Sequence, residues 1–261
     1  MKLQNKKIVV TGASGGIGAH TAALLANGGA NLVLVGRNED KLREVVQTLG
    51  VGENHHLIVV ADLASSDGRK AVVAAAAEAD VLINLAGINQ LALLGQMSDQ
   101  QVIDMITSNL VVPMLLTKAI VPILESRPEA AIINVGSILG SIGVPGSVAY
   151  CASKFGLRGF TESLHRELSQ TNIKVSYVAP RATKTTMNSD LVTALNAELG
   201  NNIDAPEMVA KTIVDLIKSS KSKCKYIGWP EKLFVRINGL LPTLVDGSLI
   251  KQLPIIQKYT Q

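Results

Sequence analysis

The sequence predicts an α/β protein: a doubly wound Rossmann fold with a parallel sheet of about seven strands and helices on both faces. Three observations carry this. Short β-branched runs alternate with helix-period segments along most of the chain. The first run leads straight into a glycine-rich turn and then a helix. Hydrophobic residues make up 47% of the 261 residues and aromatics only 3%, so the core is aliphatic, as helices packed on a buried parallel sheet require.

The elements follow in order. Strands are expected at 7–10, 31–35, 57–60, 81–84, 131–135 and 173–178, with a short seventh at 226–228. Helices are expected at 17–27, 39–49, 68–78, 98–117, 151–169 and 206–219. Gly28-Gly29 stops the first helix. Pro113 predicts a bend or interruption in the helix at 98–117. No internal repeat or linker divides the chain. Residues 1–230 read as one α/β domain, and 231–261 as a C-terminal amphipathic extension of it.

Composition excludes several classes. Charged residues are 18% and the net charge is only +4, without a dense Lys/Arg cluster, so no nucleic-acid partner is expected. Cys151 and Cys224 have no evident pairing, which suits a reducing cytoplasm. The start MKLQNKKIVV lacks a secretory h-region, and no run is expected to reach the length of a membrane span. The four histidines show no metal-ligand spacing, so no metal is expected.

The turn Thr11-Gly12-Ala13-Ser14-Gly15-Gly16-Ile17-Gly18 lies between the first strand and first helix. Backbone N–H groups there can meet a pyrophosphate, because glycines remove the Cβ atoms that would block it and the helix dipole favours the anion. TGxxxGxG resembles the dinucleotide-binding motif of the classical short-chain dehydrogenase/reductase family, and later motifs agree in order over roughly the first 230 residues. The resemblance implies contacts to the dinucleotide from Thr11, Gly12, Ser14, Gly16, Ile17 and Gly18. It adds Asp62 with Leu63 near the adenine ring. Asn84-Leu85-Ala86-Gly87 is similar to the family's NNAG, with Leu85 in place of an Asn.

The end of the second strand reads Gly36-Arg37-Asn38. No carboxylate is present to accept ribose hydroxyls, and Arg37 can pair with a 2′-phosphate, so NADP(H) is favoured over NAD(H). Gly15 tempers this, since many NADP-using relatives carry a second basic residue there.

Tyr150 and Lys154 are four apart, one turn of helix on one face. A phenol titrates at about 10, and a neighbouring ammonium is expected to lower that value. Ser137 lies thirteen residues before Tyr150, just past the fifth strand, at the sheet edge where such folds build their sites. Ser137, Tyr150 and Lys154 match the family's Ser-Tyr-Lys set, and Asn109 its fourth catalytic position. The resemblance implies that Ser137 binds the substrate oxygen and Tyr150 exchanges its proton. Lys154 then tunes Tyr150 and binds the nicotinamide ribose, while Asn109 positions a water. Ala179-Pro180-Arg181-Ala182-Thr183-Lys184-Thr185 is similar to PGxxxT, implying Pro180, Thr183 and Thr185 in cofactor binding. Arg181 replaces the glycine and would add positive charge at the substrate mouth or face solvent.

Residues 188–202 are expected to cover the site, with Leu191, Val192, Leu195 and Leu199 suiting an apolar substrate. The tail carries Leu233, Ile237, Leu240, Leu241 and Leu244 at helical spacing, with Lys232, Arg236 and Lys251 between. It can extend the pocket, form a dimer interface, pack on the core, or lie on a membrane surface. The expectation is therefore an NADP(H)-dependent oxidoreductase for a carbonyl/alcohol pair on a small-molecule substrate of medium or long apolar character, a hydrophobic ketone, a 3-oxoacyl group or a lipid-like carbonyl. It is expected to be a cytoplasmic homo-oligomer, a dimer rather than a tetramer. A non-catalytic dinucleotide-binding regulator or scaffold is the alternative; a sugar-nucleotide epimerase would need a longer substrate domain.

Overall fold

The protein is described by a computed structural model that covers residues 1–50, 55–185 and 187–260. Chain order begins β1 (Lys7–Thr11), α1 (Gly16–Asn27), β2 (Asn31–Gly36), α2 (Glu39–Thr48), β3 (His56–Val60), α3 (Ser66–Ala75) and β4 (Val81–Asn84). It continues with α4 (Asp99–Ile106), α5 (Val112–Glu125), β5 (Ala130–Val135), α6 (Val148–Glu167) and β6 (Ile173–Ala179). After these come α7 (Asp190–Glu198), α8 (Pro206–Lys218), β7 (Cys224–Tyr226), α9 (Glu231–Leu240), α10 (Pro242–Lys251) and α11 (Leu253–Lys258).

The seven strands form one sheet in the order β3-β2-β1-β4-β5-β6-β7, every pair parallel. The order reverses between β1 and β4, and such a switch point opens a crevice at the carboxyl ends of the strands. Alternation along β1 shows how both faces are covered. Ile8 and Val10 pack with Leu25 of α1, Leu42 of α2 and Ile213 of α8. Val9 faces the other way, onto Val72 of α3, Ile120 of α5 and Leu164 of α6. Each fully buried Leu or Ile contributes about 2 kcal/mol relative to exposure, so a slip of one residue in register would reverse a large apolar set.

Three boundaries differ from expectation for local reasons. Helix α3 begins two residues early because the Ser65 hydroxyl accepts from the Gly68 N–H at 2.9 Å and caps it. Helix α6 begins at Val148, so Tyr150 already lies inside its first turn. The last strand is β7 at Cys224–Tyr226, two residues before the expected position, set by pairing of Tyr177 with Cys224.

The helix expected at 98–117 differs more. Helical structure runs unbroken over Asp99–Glu125, 27 residues, long and apolar enough to cross a membrane by length and composition alone. That corrects the expectation that no such run exists. Pro113 does not interrupt it; Pro113 is the second residue of α5, directly after a stretch of altered helical pairing. The irregularity lies just before, as a π turn at Thr107–Val111 centred on Asn109. The run is a wall of the fold, with Met105, Leu116, Ile120 and Leu124 buried.

Candidate active site

A cavity of about 1120 Å³ occupies the crevice at the carboxyl ends of β1, β2, β4, β5 and β6. One end is the glycine-rich turn. Gly12 has φ +68°, and a Cβ there would come within 2.9 Å of the Ala86 Cα, so only glycine closes this turn against β4. Helix α1 starts at Gly16 without a side-chain cap, leaving its first-turn N–H groups turned to the cavity that Ser14, Gly15, Gly16 and Ile17 line. An uncapped helix end with no Cβ in the way fits the pyrophosphate of a dinucleotide.

Thr11 and Gly18 have other work. Thr11 Oγ1 donates to the Ile83 carbonyl at 3.1 Å and accepts from the Leu85 and Ala86 N–H groups at 3.0 and 3.1 Å, tying β1 to the end of β4. A Cβ on Gly18 would lie 2.2 Å from the Gly12 carbonyl oxygen, so its glycine lets α1 pack on the turn.

Beyond the cradle, Arg37, Asp62, Leu63, Ala86 and Gly87 line the cavity as expected. Asp62 Oδ1 also accepts from the Ala64 N–H at 3.0 Å. Lys41 lines it as well, and the sequence reading missed it. The signal was available: Lys41 follows Arg37 by four residues, in the first turn of α2, and both line the cavity. Asn84 is not in the lining. Its amide donates to Asn134 Oδ1 at 2.8 Å and Thr117 Oγ1 at 3.0 Å, and Asn134 donates to Thr161 Oγ1 at 2.9 Å. This buried chain locks the ends of β4 and β5 to α5 and α6.

Ser137, Tyr150 and Lys154 meet on the cavity wall, all buried. Ser137 caps a short 3-10 turn, its hydroxyl accepting from the Leu139 N–H at 3.1 Å. Lys154 Nζ donates to the Val135 carbonyl at 3.1 Å and sits 5.7 Å from the Tyr150 ring centroid. Burial pushes the Tyr150 phenol up to about 12, against the opposing effect of a Ser137 hydrogen bond. Burial likewise brings Lys154 down to about 8. The expectation that Lys154 lowers the phenol is therefore corrected for this arrangement. Desolvation outweighs the Ser137 hydrogen bond, so the neutral phenol is favoured.

Asn109 is fully buried behind this wall. Its amide donates to the Ile88 carbonyl at 2.9 Å and to Ser153 Oγ at 3.1 Å, and its Oδ1 accepts from the Ile88 N–H at 2.8 Å. A Cβ on Gly87 would lie 2.8 Å from Asn109 Oδ1 and 3.6 Å from Lys154 Nζ, which brings all three together. Both amide hydrogens are thus taken by protein partners, and the side chain clamps the segment after β4 to α6.

Pro180, Thr183 and Thr185 reach the far wall, where Thr185 lies over Gly16. Helix α7 lies within the segment expected as a cover, and Val192, Leu195 and Leu199 line the cavity while Leu191 is exposed. Phe234, Ile237, Leu244, Val245 and Leu249 from α9 and α10, with Ile256 from α11, complete the apolar end. The tail is thus a wall of this subunit's own cavity.

The family model for short chain dehydrogenase matches residues 6–196. The chain belongs to the short-chain dehydrogenase family. It is 36% identical over 190 residues to the 3-oxoacyl-(acyl-carrier-protein) reductase of Rickettsia conorii, covering 72% of this chain and 77% of that one. The same-named reductase of Escherichia coli is 35% identical over 192 residues, covering 73% and 79%. A solved short chain dehydrogenase/reductase family protein superposes with a TM-score of 0.79 at 25% identity, over 87% of this chain and 97% of that one. This short-chain dehydrogenase is an oxidoreductase enzyme acting on a carbonyl/alcohol pair.

Arg181 departs from expectation in this family member. It carries no free charge to the mouth and does not face solvent. Its guanidinium pairs with Asp204 at 2.7 Å and with Glu231 at 3.1 Å, and donates to the Trp229 carbonyl at 3.2 Å. Asp204 is 4% exposed, and its second oxygen has no partner among the described residues. The Asp204 backbone also bonds Ala182 and Lys184, so one cation joins the Pro180–Thr185 segment to the first turn of the tail. Arg181→Ala would leave a buried carboxylate unpaired and should cost about 3 kcal/mol, with part regained in Arg181→Ala/Asp204→Asn. Unchanged denaturation midpoints in the single variant would reject this account.

Proposed function

We propose that this enzyme is an NADP(H)-dependent reductase of hydrophobic ketones, with a 3-oxoacyl group as the substrate class. The observation carrying this reading is the meeting of Ser137, Tyr150 and Lys154 on one wall of a cavity that also contains an uncapped, glycine-lined helix end. The names of the reductases reported above support the substrate class, as do the apolar walls from α7 and the tail. The nicotinamide dinucleotide, when bound, supplies the hydride. Residues Gly12, Ser14, Gly16 and Ile17 would hold its pyrophosphate, and Pro180, Thr183 and Thr185 the nicotinamide end.

The protein's own part is binding and proton transfer. Ser137 and Tyr150 would donate hydrogen bonds to the carbonyl oxygen, orienting it and withdrawing charge from the carbon. Tyr150, kept neutral by burial, would give its proton to the oxygen as the alcohol forms. The Lys154 ammonium would stabilise the phenolate left behind. Asn109 holds the end of β4 against α6, which keeps Lys154 in reach.

Arg37 and Lys41 at the rim, with no carboxylate at the end of β2, support NADP(H). We also read the protein as a cytoplasmic homodimer. The exposed Val111, Met114, Leu115 and Phe155 on the face of α5 and α6 support the dimer, since such a face favours burial against a second copy.

Following NADPH absorbance with a panel of 3-oxoacyl thioesters and simpler ketones tests the reaction; no turnover of any would end this reading. Tyr150→Phe should lower kcat at least about a thousandfold while NADPH still quenches or shifts fluorescence normally. Arg37→Ala should raise the NADPH KM at least about tenfold and leave that for NADH nearly unchanged, with Lys41→Ala showing the same direction. Equal losses for both dinucleotides would refute the 2′-phosphate contact. Lys154 is depressed from its ordinary value to about 8, so its charge is present below that pH and lost above it. The rate of reduction should therefore fall as pH rises through about 8, and a profile level to about pH 10 would sink the role given to the ammonium.

A further inference from the structure

The helix pair α9–α10 ends in a corner, Leu240-Leu241-Pro242, that points away from the core. Leu240 is 81% exposed, Leu241 56%, Leu244 67% and Ile250 64%. Single exposed leucines are ordinary, but four large aliphatic side chains on one short hairpin are not. The inner face of the same hairpin is well packed, with Val235 and Val245 buried against Ile138 and Ile142. The outer face is therefore not the consequence of a loose tail.

Cations outnumber anions around this corner, with Asp246 the one acidic side chain of α9 and α10 not held by Arg181. Lys232 and Arg236 precede Leu240 by eight and four residues, so the three share a stripe on α9. Lys251 follows Leu244 by seven, on a common face of α10. All three cations are exposed and none pairs with a carboxylate among the described residues. Of the two acidic residues in the tail, Glu231 is held by Arg181, leaving only Asp246. An isologous dimer through this corner would set the basic collar near its own copy, which like charges oppose. An aliphatic tip with a collar of Lys and Arg instead complements the acyl region and anionic headgroups of a bilayer.

We propose that the α9–α10 corner docks this enzyme peripherally on anionic lipid membranes, next to the mouth of its cavity. Leu244 is both exposed at the corner and part of the cavity wall, and Phe234 joins it there. A hydrophobic substrate leaving the bilayer would meet the apolar end of the cavity first. This last use rests on the reading of the cavity as a ketone site; the docking itself does not.

The test is flotation of the full-length protein with phosphatidylcholine vesicles, with and without phosphatidylglycerol, in the absence of dinucleotide and ketone. Recovery with the anionic vesicles should be at least about tenfold higher and should fall with added salt. Leu240→Asp/Leu241→Asp and Lys232→Glu/Arg236→Glu should each lower it about tenfold. These four side chains lie outside the cavity wall, so melting temperature and turnover of a water-soluble ketone should stay unchanged and report that the variants are folded. Light scattering on the same samples distinguishes the other occupants. Recovery that ignores phosphatidylglycerol or the leucines would overturn the proposal. So would an oligomer that dissociates in Leu240→Asp/Leu241→Asp, which would give the corner to a second copy. Because no turnover is read in the flotation, a failure there leaves the reductase reading standing, and an inert protein could still float.

Discussion

A parallel sheet covered by helices on both faces has no room for polar groups along its length. That constraint organises this molecule. Strands β1, β4 and β5 are buried almost throughout, so their hydrogen-bonding side chains either pair inside the sheet or gather at its carboxyl edge. Asn84 and Asn134 take the first course and bond each other, Thr117 and Thr161. Ser137, just past β5, stands at that edge, where Tyr150 and Lys154 of α6 meet it. The reversal of strand order between β1 and β4 then leaves a crevice at the same edge, and the glycine-rich turn closes one end of it.

Burial also sets the electrostatics of the site. Water is excluded from Tyr150 and Lys154, and each is moved toward its neutral form. The phenol thereby stays protonated at neutral pH, while the lysine loses its charge in modest alkali. Asn109 belongs to the same arrangement, since its π turn carries the amide to both Ile88 and Ser153 and fixes α6 against the end of β4. An irregular turn in a long helix is here the means of seating α6, which carries Tyr150 and Lys154.

Arg181 and the tail show how a family scaffold is adapted. Replacing a glycine by arginine gives the Pro180–Thr185 segment a charged anchor, and Asp204 and Glu231 meet it from two directions. The tail then folds back as three helices and supplies the apolar end of the cavity. Its outer corner is left aliphatic and basic. One segment thus lines the apolar end of the cavity on its inner side and leaves an aliphatic, basic corner on its outer side.

Much of this was legible in the residues alone. Alternating apolar runs specified a doubly wound fold because period-two and period-3.6 patterns bury different faces. The glycine turn, Arg37 and the Ser137-Tyr150-Lys154 spacing were readable because backbone approach and one-turn helical contact are local matters. Tertiary structure decided what depends on distant partners. Asn84 proved to serve the sheet because Asn134 and Thr117 arrive from other elements, and Arg181 proved neutralised because Asp204 and Glu231 are 23 and 50 residues away. The phenol of Tyr150 rose rather than fell because enclosure is a property of the whole fold, and no spacing of two residues along a helix can express it.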